Sequence, residues 1–198
     1  MALEETFESI ENYLSRIMPQ VISCPREIAI DALQGISTDF FKETRIWITT
    51  LTQSVAANTS DVELEIPTYT ELVGVEGVRI NDTRCCAGDY TVEHHTIHLH
   101  NMTKNACVLS VDVVLRPSRF CAEVPERLFE EYGDIIVAGA LAQLKAMQGE
   151  VSDDVRTVPW SDPDGAKFYL EVYLRGLNRA KMRAHILRGY GMVKPKWR

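Results

Sequence analysis

The apolar residues of this chain change their period twice, and this change limits the folds that are open to it. Near the N-terminus they recur every three or four residues, as on one face of an amphipathic helix. Between residues 46 and 121 they alternate along short runs rich in β-branched residues, which is typical of half-buried strands. The helical period then returns. We therefore expect an α+β fold with helices at both ends and a β-module between them.

Four helices are predicted at the two ends of the chain. The first ends at Pro19, because proline does not continue a helix, and the second ends near Thr44. The third begins at Pro125, and the fourth follows a cap formed by Ser161 or Asp162. The expected apolar positions are Leu3, Phe7, Ile10, Leu14 and Ile17 in the first helix, and Phe168, Val172, Leu174, Leu177 and Ile186 in the fourth.

About six strands are predicted between these helices, and their mostly local connections favour an antiparallel β-module. The clearest strand is Ala106–Pro117, in which Leu109, Val111, Val113 and Leu115 share one face. The simplest architecture is a four-helix core, two helices from each end, that flanks this inserted module.

The predicted domain boundaries follow from the same changes of period. We place a discontinuous helical domain at residues 1–45 and 122–188 and the β-module at residues 46–121. Residues 189–198 contain two glycines and a proline and show no period, so we expect an extended C-terminal arm there.

Charge is unevenly distributed along the chain, whose net charge is −7. From Ala166 onward there are nine Lys/Arg and one acid, so this part carries +8 and the rest carries −15. Such an asymmetry favours binding to nucleic acid or to an acidic partner, or contact between acidic and basic faces of identical subunits. The apolar runs are too short to cross a membrane, and the acidic N-terminus lacks the pattern of a signal peptide, so we expect synthesis in the cytosol.

The sequence contains none of the short motifs that mark common enzyme classes. GxSxG, HExxH, a P-loop and GxGxxG after a strand are all missing, and the acidic clusters lie on predicted helix faces and strand edges where solvation explains them. The five cysteines are odd in number and form no CxxC pair, so a disulfide framework is not expected. We expect neither enzymatic activity nor a cofactor.

Four of the five histidines lie in the segment VEHHTIHLH, residues 92–100. On one continuous strand, His94, His98 and His100 would share a face. Two of them could then chelate zinc, with Cys85 or Cys86 as further ligands. A small metal-binding protein is therefore one alternative for the function.

A hairpin is the other interpretation of this segment, and we favour it. The apolar phase breaks between Val92 and Ile97, and a turn at Glu93–His95 would restore it. His98 and His100 would then lie on the solvated face of a strand, where they need not bind a metal. Their remaining expected role is a subunit contact that weakens on protonation.

The basic residues of the last helix recur every four positions at Arg175, Arg179 and Arg183. We expect this stripe to be a solvated face, a subunit contact or a weak contact with DNA, rather than the base-reading surface of a DNA-binding regulator, which remains the second alternative. The arm that follows alternates aromatic, thioether and basic side chains suited to docking. Its candidate docking residues are Tyr190, Met192, Lys194, Lys196, Trp197 and Arg198.

Several longer segments together carry a family resemblance. AIDALQGISTDFFKETRIWITTLTQ runs from the second helix into the β region, and EIPTYTELVGVEGVRIND and YTVEHHTIHLHNMTKNACVLSVDVVLRPS form the strand block. VPERLFEEYGDIIVAGALAQLKAM and PWSDPDGAKFYLEVYLRGLNRAKMRA form a closing helix pair before a glycine-rich tail. In this order they resemble the head-to-tail adaptor (connector) proteins of bacteriophages, specifically the tail tubular protein A type of short-tailed phages.

The resemblance implies a structural virion protein that is not an enzyme. Such adaptors form homo-oligomeric rings, commonly dodecamers, between the portal protein and the tail nozzle or tube protein, and they leave a central channel through which DNA passes at genome ejection. Assembly in the cytoplasm of the bacterial host is implied as well. Trp47, Pro125 and Trp160–Pro163 would be structural marks of the family, and Gly189–Arg198 would be its portal-docking arm. The histidines match no motif of this family.

Overall fold

The computed structural model describes residues 6–101, 104–119, 123–147 and 158–189. The chain divides into two compact units. The first, which we call the helical unit, comprises Met1–Ile46 and Pro117–Arg198, and the second, the β-unit, comprises Trp47–Arg116. The fold is mixed α+β with antiparallel strand pairs, as the sequence predicts at this level.

The helices are α1 (Leu14–Ile17), α2 (Arg26–Thr44), α3 (Glu126–Lys145) and α4 (Pro163–Gly189). The strands are β1 (Phe7–Ser9), β2 (Ile48–Val55), β3 (Asp61–Glu63), β4 (Thr70–Ile80), β5 (Thr83–Arg84), β6 (Tyr90–Glu93), β7 (Thr96–Leu99), β8 (Cys107–Pro117) and β9 (Glu123–Pro125). In the part of the chain that the structure describes, no helix is long and apolar enough to cross a membrane.

The prediction of one continuous first helix is wrong. Phe7–Ser9 is strand β1, which pairs antiparallel with β9, and the backbone then forms a 3-10 helix, the short α1 and a second 3-10 helix. The apolar residues at this spacing still belong to the core, since Ile10, Leu14 and Ile17 are buried. Pairing with a strand more than 110 positions away gives this segment backbone hydrogen bonds that its local pattern does not reveal.

The long helices begin and end at residues that suit these positions. Arg45 terminates α2 in the left-handed conformation, with φ of 52°, and its N–H donates to the carbonyl of Phe41 at 2.9 Å. The carboxylate of Asp162 accepts a hydrogen bond from the N–H of Gly165, in the first turn of α4, at 3.0 Å. The predicted cap of the fourth helix and the proline in its first turn are therefore confirmed.

The helical unit is built around close contacts of α3 with α2 and α4. A Cβ atom added at Gly139 of α3 would lie 2.6 Å from Ile36 of α2 and 2.8 Å from the ring of Tyr173 of α4. Added at Gly176 of α4, it would lie 2.6 Å from Ile135 of α3. Small residues therefore determine which face of α4 packs against its neighbours. The opposite face of α4 is exposed to solvent.

The β-unit contains a four-stranded sheet in the order β2–β8–β4–β5 and a three-stranded sheet in the order β3–β7–β6. Strand β8 matches its prediction, because Leu109, Val111, Val113 and Leu115 are fully buried. On the other face the Asp112 carboxylate accepts hydrogen bonds from Thr50 of β2 and Arg79 of β4, each 2.7 Å long. These bonds join three neighbouring strands across one surface of the sheet.

Candidate functional site

The histidine-rich segment forms the predicted hairpin. Strands β6 and β7 pair in register, and the turn between them is at His94 and His95, with His94 in the left-handed conformation. Ile97 and Leu99 are buried, whereas His100 is exposed. The phase break in the apolar pattern was therefore the correct signal for a turn.

Local hydrogen bonds account for both strand histidines. Nδ1 of His98 contacts the carboxylate of Asp61 on β3, and Nδ1 of His100 lies 2.7 Å from the carbonyl oxygen of Gly88. The hydrogen bond with His98, followed by that with Ser60, lowers the pKa of the Asp61 carboxyl. In the ranges that the structure describes, no group of three or more His, Cys, Asp or Glu side chains is arranged to hold a metal ion. The imidazoles thus fasten neighbouring segments of the β-unit.

The described cysteines are free thiols with ordinary environments. Cys24 and Cys107 are buried, Cys85 is half-buried and Cys86 is exposed. Burial raises the pKa of Cys24, and burial with the nearby Asp89 carboxylate raises that of Cys85. A raised pKa keeps these two groups as thiols, so neither is activated as a nucleophile.

The predicted arginine stripe lies on exposed parts of α4, and two of its members already have acidic partners. Arg175 pairs with Glu171 at 3.3 Å within the helix, and Arg183 pairs with Glu131 of α3. Arg179 is exposed and makes no ion pair with any residue that the structure describes. The stripe therefore has one unneutralised guanidinium near its centre.

Large apolar side chains accompany these arginines on the solvent side of α4. Phe168, Met182 and Ile186 are 61%, 66% and 55% exposed. The prediction that Phe168, Leu174 and Ile186 would pack inside the unit is therefore wrong. The physical reason is that α4 packs through a different face, on which glycine and alanine permit close approach around two larger side chains. The buried positions of this helix are Ala166, Tyr173, Gly176, Leu177, Ala180 and Ala184.

We define the outward face of α4 by Phe168, Arg175, Arg179, Met182 and Ile186. At 3.6 residues per turn these five positions fall within an arc of about 60° and extend over roughly 27 Å. The last four are separated by four, three and four residues, which is the spacing of a helix that meets a partner along a seam. This face is the strongest candidate for an interaction site on the helical unit.

Two hollows lie next to each other elsewhere on the helical unit. An apolar groove of about 510 Å³ is lined by Ile36, Gly139, Ala142, Ala166, Leu170 and Tyr173, among others. A polar hollow of about 250 Å³ is lined by Asp31, Gln34, Gly35, Asp39, Arg119 and Gln143. Gln143 lines both, so acidic and apolar surfaces are continuous there. This surface was not predicted from the sequence, although the acids of α2 are separated by four or eight residues.

The candidate docking residues of the C-terminal arm lie outside the described residues, and so does Cys121. These are Tyr190, Met192, Lys194, Lys196, Trp197 and Arg198.

Comparison with protein-family models gives no match for the chain, and no curated protein matches it either.

Proposed function

We propose that this protein is a structural subunit of a bacteriophage virion, a non-enzymatic head-to-tail adaptor that assembles into a ring between the portal and the tail. The observation that carries the proposal is the outward face of α4. Three large apolar side chains lie there beside arginines at the spacing of a helix seam. Large apolar side chains grouped on one face of a helix are costly to leave in water, and contact with another chain accounts for them.

The distribution of charge favours a ring over a closed pair. A ring needs two different surfaces on each subunit, so that one copy can meet the next head to tail. The basic α4 and the acidic remainder of the helical unit supply two such surfaces. In the proposed subunit the helices form a four-helix core with the β-module inserted and the arm extended, and about twelve copies surround the DNA channel, as in the family that the sequence resembles.

The proposed mechanism is mechanical. Gly189–Arg198 docks on the portal, contacts between copies close the ring, and the tail nozzle or tube protein binds the far side. The ring retains the packaged genome and passes it at ejection, with only weak, salt-dependent contact to DNA. A regulator that reads bases is not favoured, because the arginines form one stripe along a long helix and do not lie at the start of a short recognition helix.

The test is assembly with the portal protein encoded by the same genome. Purified chain is mixed with portal rings, and the product is weighed by native mass spectrometry. We expect one complex with a fixed ring stoichiometry. A matched control lacks Gly189–Arg198, and we expect it to keep the melting transition of the full chain but not to bind the portal. Absence of any stoichiometric complex with the full chain would refute the proposed function.

A further inference from the structure

We propose that the outward face of α4 binds a second copy of this chain, and that its receptor there is the combined surface of the apolar groove and the polar hollow. We call this surface the acidic groove. The inference deepens the proposed function, on which it rests, because it names the two surfaces that meet between neighbouring copies.

The negative charge of the acidic groove comes from Asp31 and Asp39 of α2, which line the polar hollow and are exposed. Glu43 is engaged with Lys181 at 2.5 Å, whereas Asp31 and Asp39 make no ion pair with any described residue. Two carboxylates in one hollow therefore lack a partner cation within the described part of their own chain. Two cations also line the combined surface. Arg119 in the polar hollow is exposed and pairs with neither acid, and Lys167 in the apolar groove pairs with Asp164 at 3.4 Å.

The shape of the hollow admits a guanidinium between these carboxylates. Gly35 lies on α2 midway between Asp31 and Asp39, and a Cβ added there would meet nothing within 4 Å. The missing side chain leaves room over the backbone between the two carboxylates, where a cation would be attracted by both of them. Arg179 of a neighbouring copy supplies the cation that fits this position, since it is exposed and unpaired among the described residues.

The apolar parts of the two surfaces correspond in the same way. On the outward face of α4, Met182 is one turn from Arg179 and Ile186 is one turn further. On the receptor, the apolar groove adjoins the polar hollow, with Gln143 common to both. In the proposed contact α4 of the neighbour runs from the hollow towards the groove, so that an arginine in the hollow places Met182 and Ile186 at the groove. Burying two exposed apolar side chains beside a charge pair is how a specific, stable contact is built.

The two surfaces are distinct parts of one chain, which sets the symmetry of the assembly. From Arg175 to Ile186 the outward face occupies the middle and C-terminal part of α4, and Phe168 alone of its residues lies near the start of the helix. The receiving surface is formed by α2, α3, Arg119 and the first turns of α4. A copy that inserts into one neighbour keeps its own acidic groove open for another. Such a head-to-tail contact repeats from copy to copy, and it gives a closed ring when the rotation between neighbours divides a full turn and an open filament when it does not.

Charge reversal tests the pairing directly. One variant carries Arg175→Glu and Arg179→Glu, a second carries Asp31→Lys and Asp39→Lys, and a third carries all four changes. Self-association of the full chain is followed by sedimentation velocity at about 50 mM salt, where surface charges are weakly screened. We expect each double variant to associate at least about tenfold more weakly than wild type. We expect the fourfold variant, whose net charge equals that of wild type, to regain association to within about threefold.

Two further measurements keep the test decisive. Circular dichroism melts of all variants show whether the exposed substitutions leave the monomer folded, and we expect them to. Met182→Ser removes apolar contact without changing charge, and we expect it to weaken association at both low and high salt. The double variants, in contrast, should differ less from wild type at high salt.

Several outcomes would overturn the inference. The first is a wild-type chain that stays monomeric up to about 1 mM, because a dissociation constant above that value is too weak for a specific contact. The second is an assembly that never exceeds a dimer, and the third is a fourfold variant that does not regain self-association. Loss of binding to a DNA oligonucleotide by the arginine variant, with unchanged self-association, would assign the face to nucleic acid instead. If the arginine variant still forms the portal complex, this contact is refuted while the proposed function stands. If the charge-reversal test confirms the contact but the full chain forms no complex with the portal, the proposed function is refuted and the contact stands.

Discussion

Replacing Gly176 by alanine tests whether α3 and α4 depend on a missing side chain for their close approach. The new Cβ would lie 2.6–2.8 Å from three side-chain atoms of Ile135, closer than a real contact allows. Overpacking of this kind costs about 1–3 kcal/mol, while alanine gains about 0.8–1.0 kcal/mol of helix propensity over glycine. We therefore expect the free energy of unfolding of Gly176→Ala to fall by about 0–2 kcal/mol.

Gly35 supplies the matched control, because it also lies inside a helix but has nothing within 4 Å of the added atom. Gly35→Ala should raise the free energy of unfolding by about 0.5–1 kcal/mol. The difference between the two variants isolates the overlap and should be about 1–3 kcal/mol, since the propensity gain is common to both. Urea denaturation followed by far-UV circular dichroism measures it. Equal shifts in the two variants would refute the packing argument, and Ile135→Ala should rescue Gly176→Ala but not Gly35→Ala.

Three further predictions concern the same unit. Gly133→Ala should destabilise the fold by about 2–3 kcal/mol, because its Cβ would overlap the buried ring of Tyr13, and an unchanged urea midpoint would contradict this. Asp162→Ala should lower the melting temperature more than Asp162→Asn, since asparagine still caps α4, and equal melting temperatures would show that the cap contributes nothing. The N–H of Gly165 and then Lys145 lower the pKa of the Asp162 carboxyl. The stability that its ionisation contributes is therefore complete above the ordinary aspartate pKa of about 4 and is lost as the pH falls through the lowered value. Wild type should thus lose its advantage over Asp162→Asn in acid, and a constant difference from pH 7 to about pH 2 would contradict this assignment.

Local signals in the sequence were sufficient for the elements whose partners are close along the chain. The break of phase before Ile97 correctly predicted the turn of the β6–β7 hairpin, and the capping residue Asp162 correctly predicted the start of α4. Strand β1 was not predictable in this way. Its partner β9 is more than 110 residues distant, and the apolar spacing of Phe7 to Ile17 suits a helix equally well.

The candidate site was predicted only in part, for a related reason. The spacing of Arg175, Arg179 and Arg183 identified the basic stripe, but not which apolar residues of α4 share its exposed side. Apolar residues occur all round this helix, so the pattern alone does not say which face is buried. Burial was decided by where glycine and alanine permit close approach, as at Gly176, and that depends on the neighbouring helix. The exposure of Met182 could therefore be recognised only once the buried face of α4 was known.

An electron cryo-microscopy reconstruction of the chain assembled with the portal would show the ring and its subunit contacts together. We expect a closed ring in which the outward face of α4 of each copy is buried against α2 and α3 of its neighbour, with Arg179 near Asp31 and Asp39. A ring in which Phe168 and Met182 remain in solvent, or a portal that carries no ring of this chain, would contradict it.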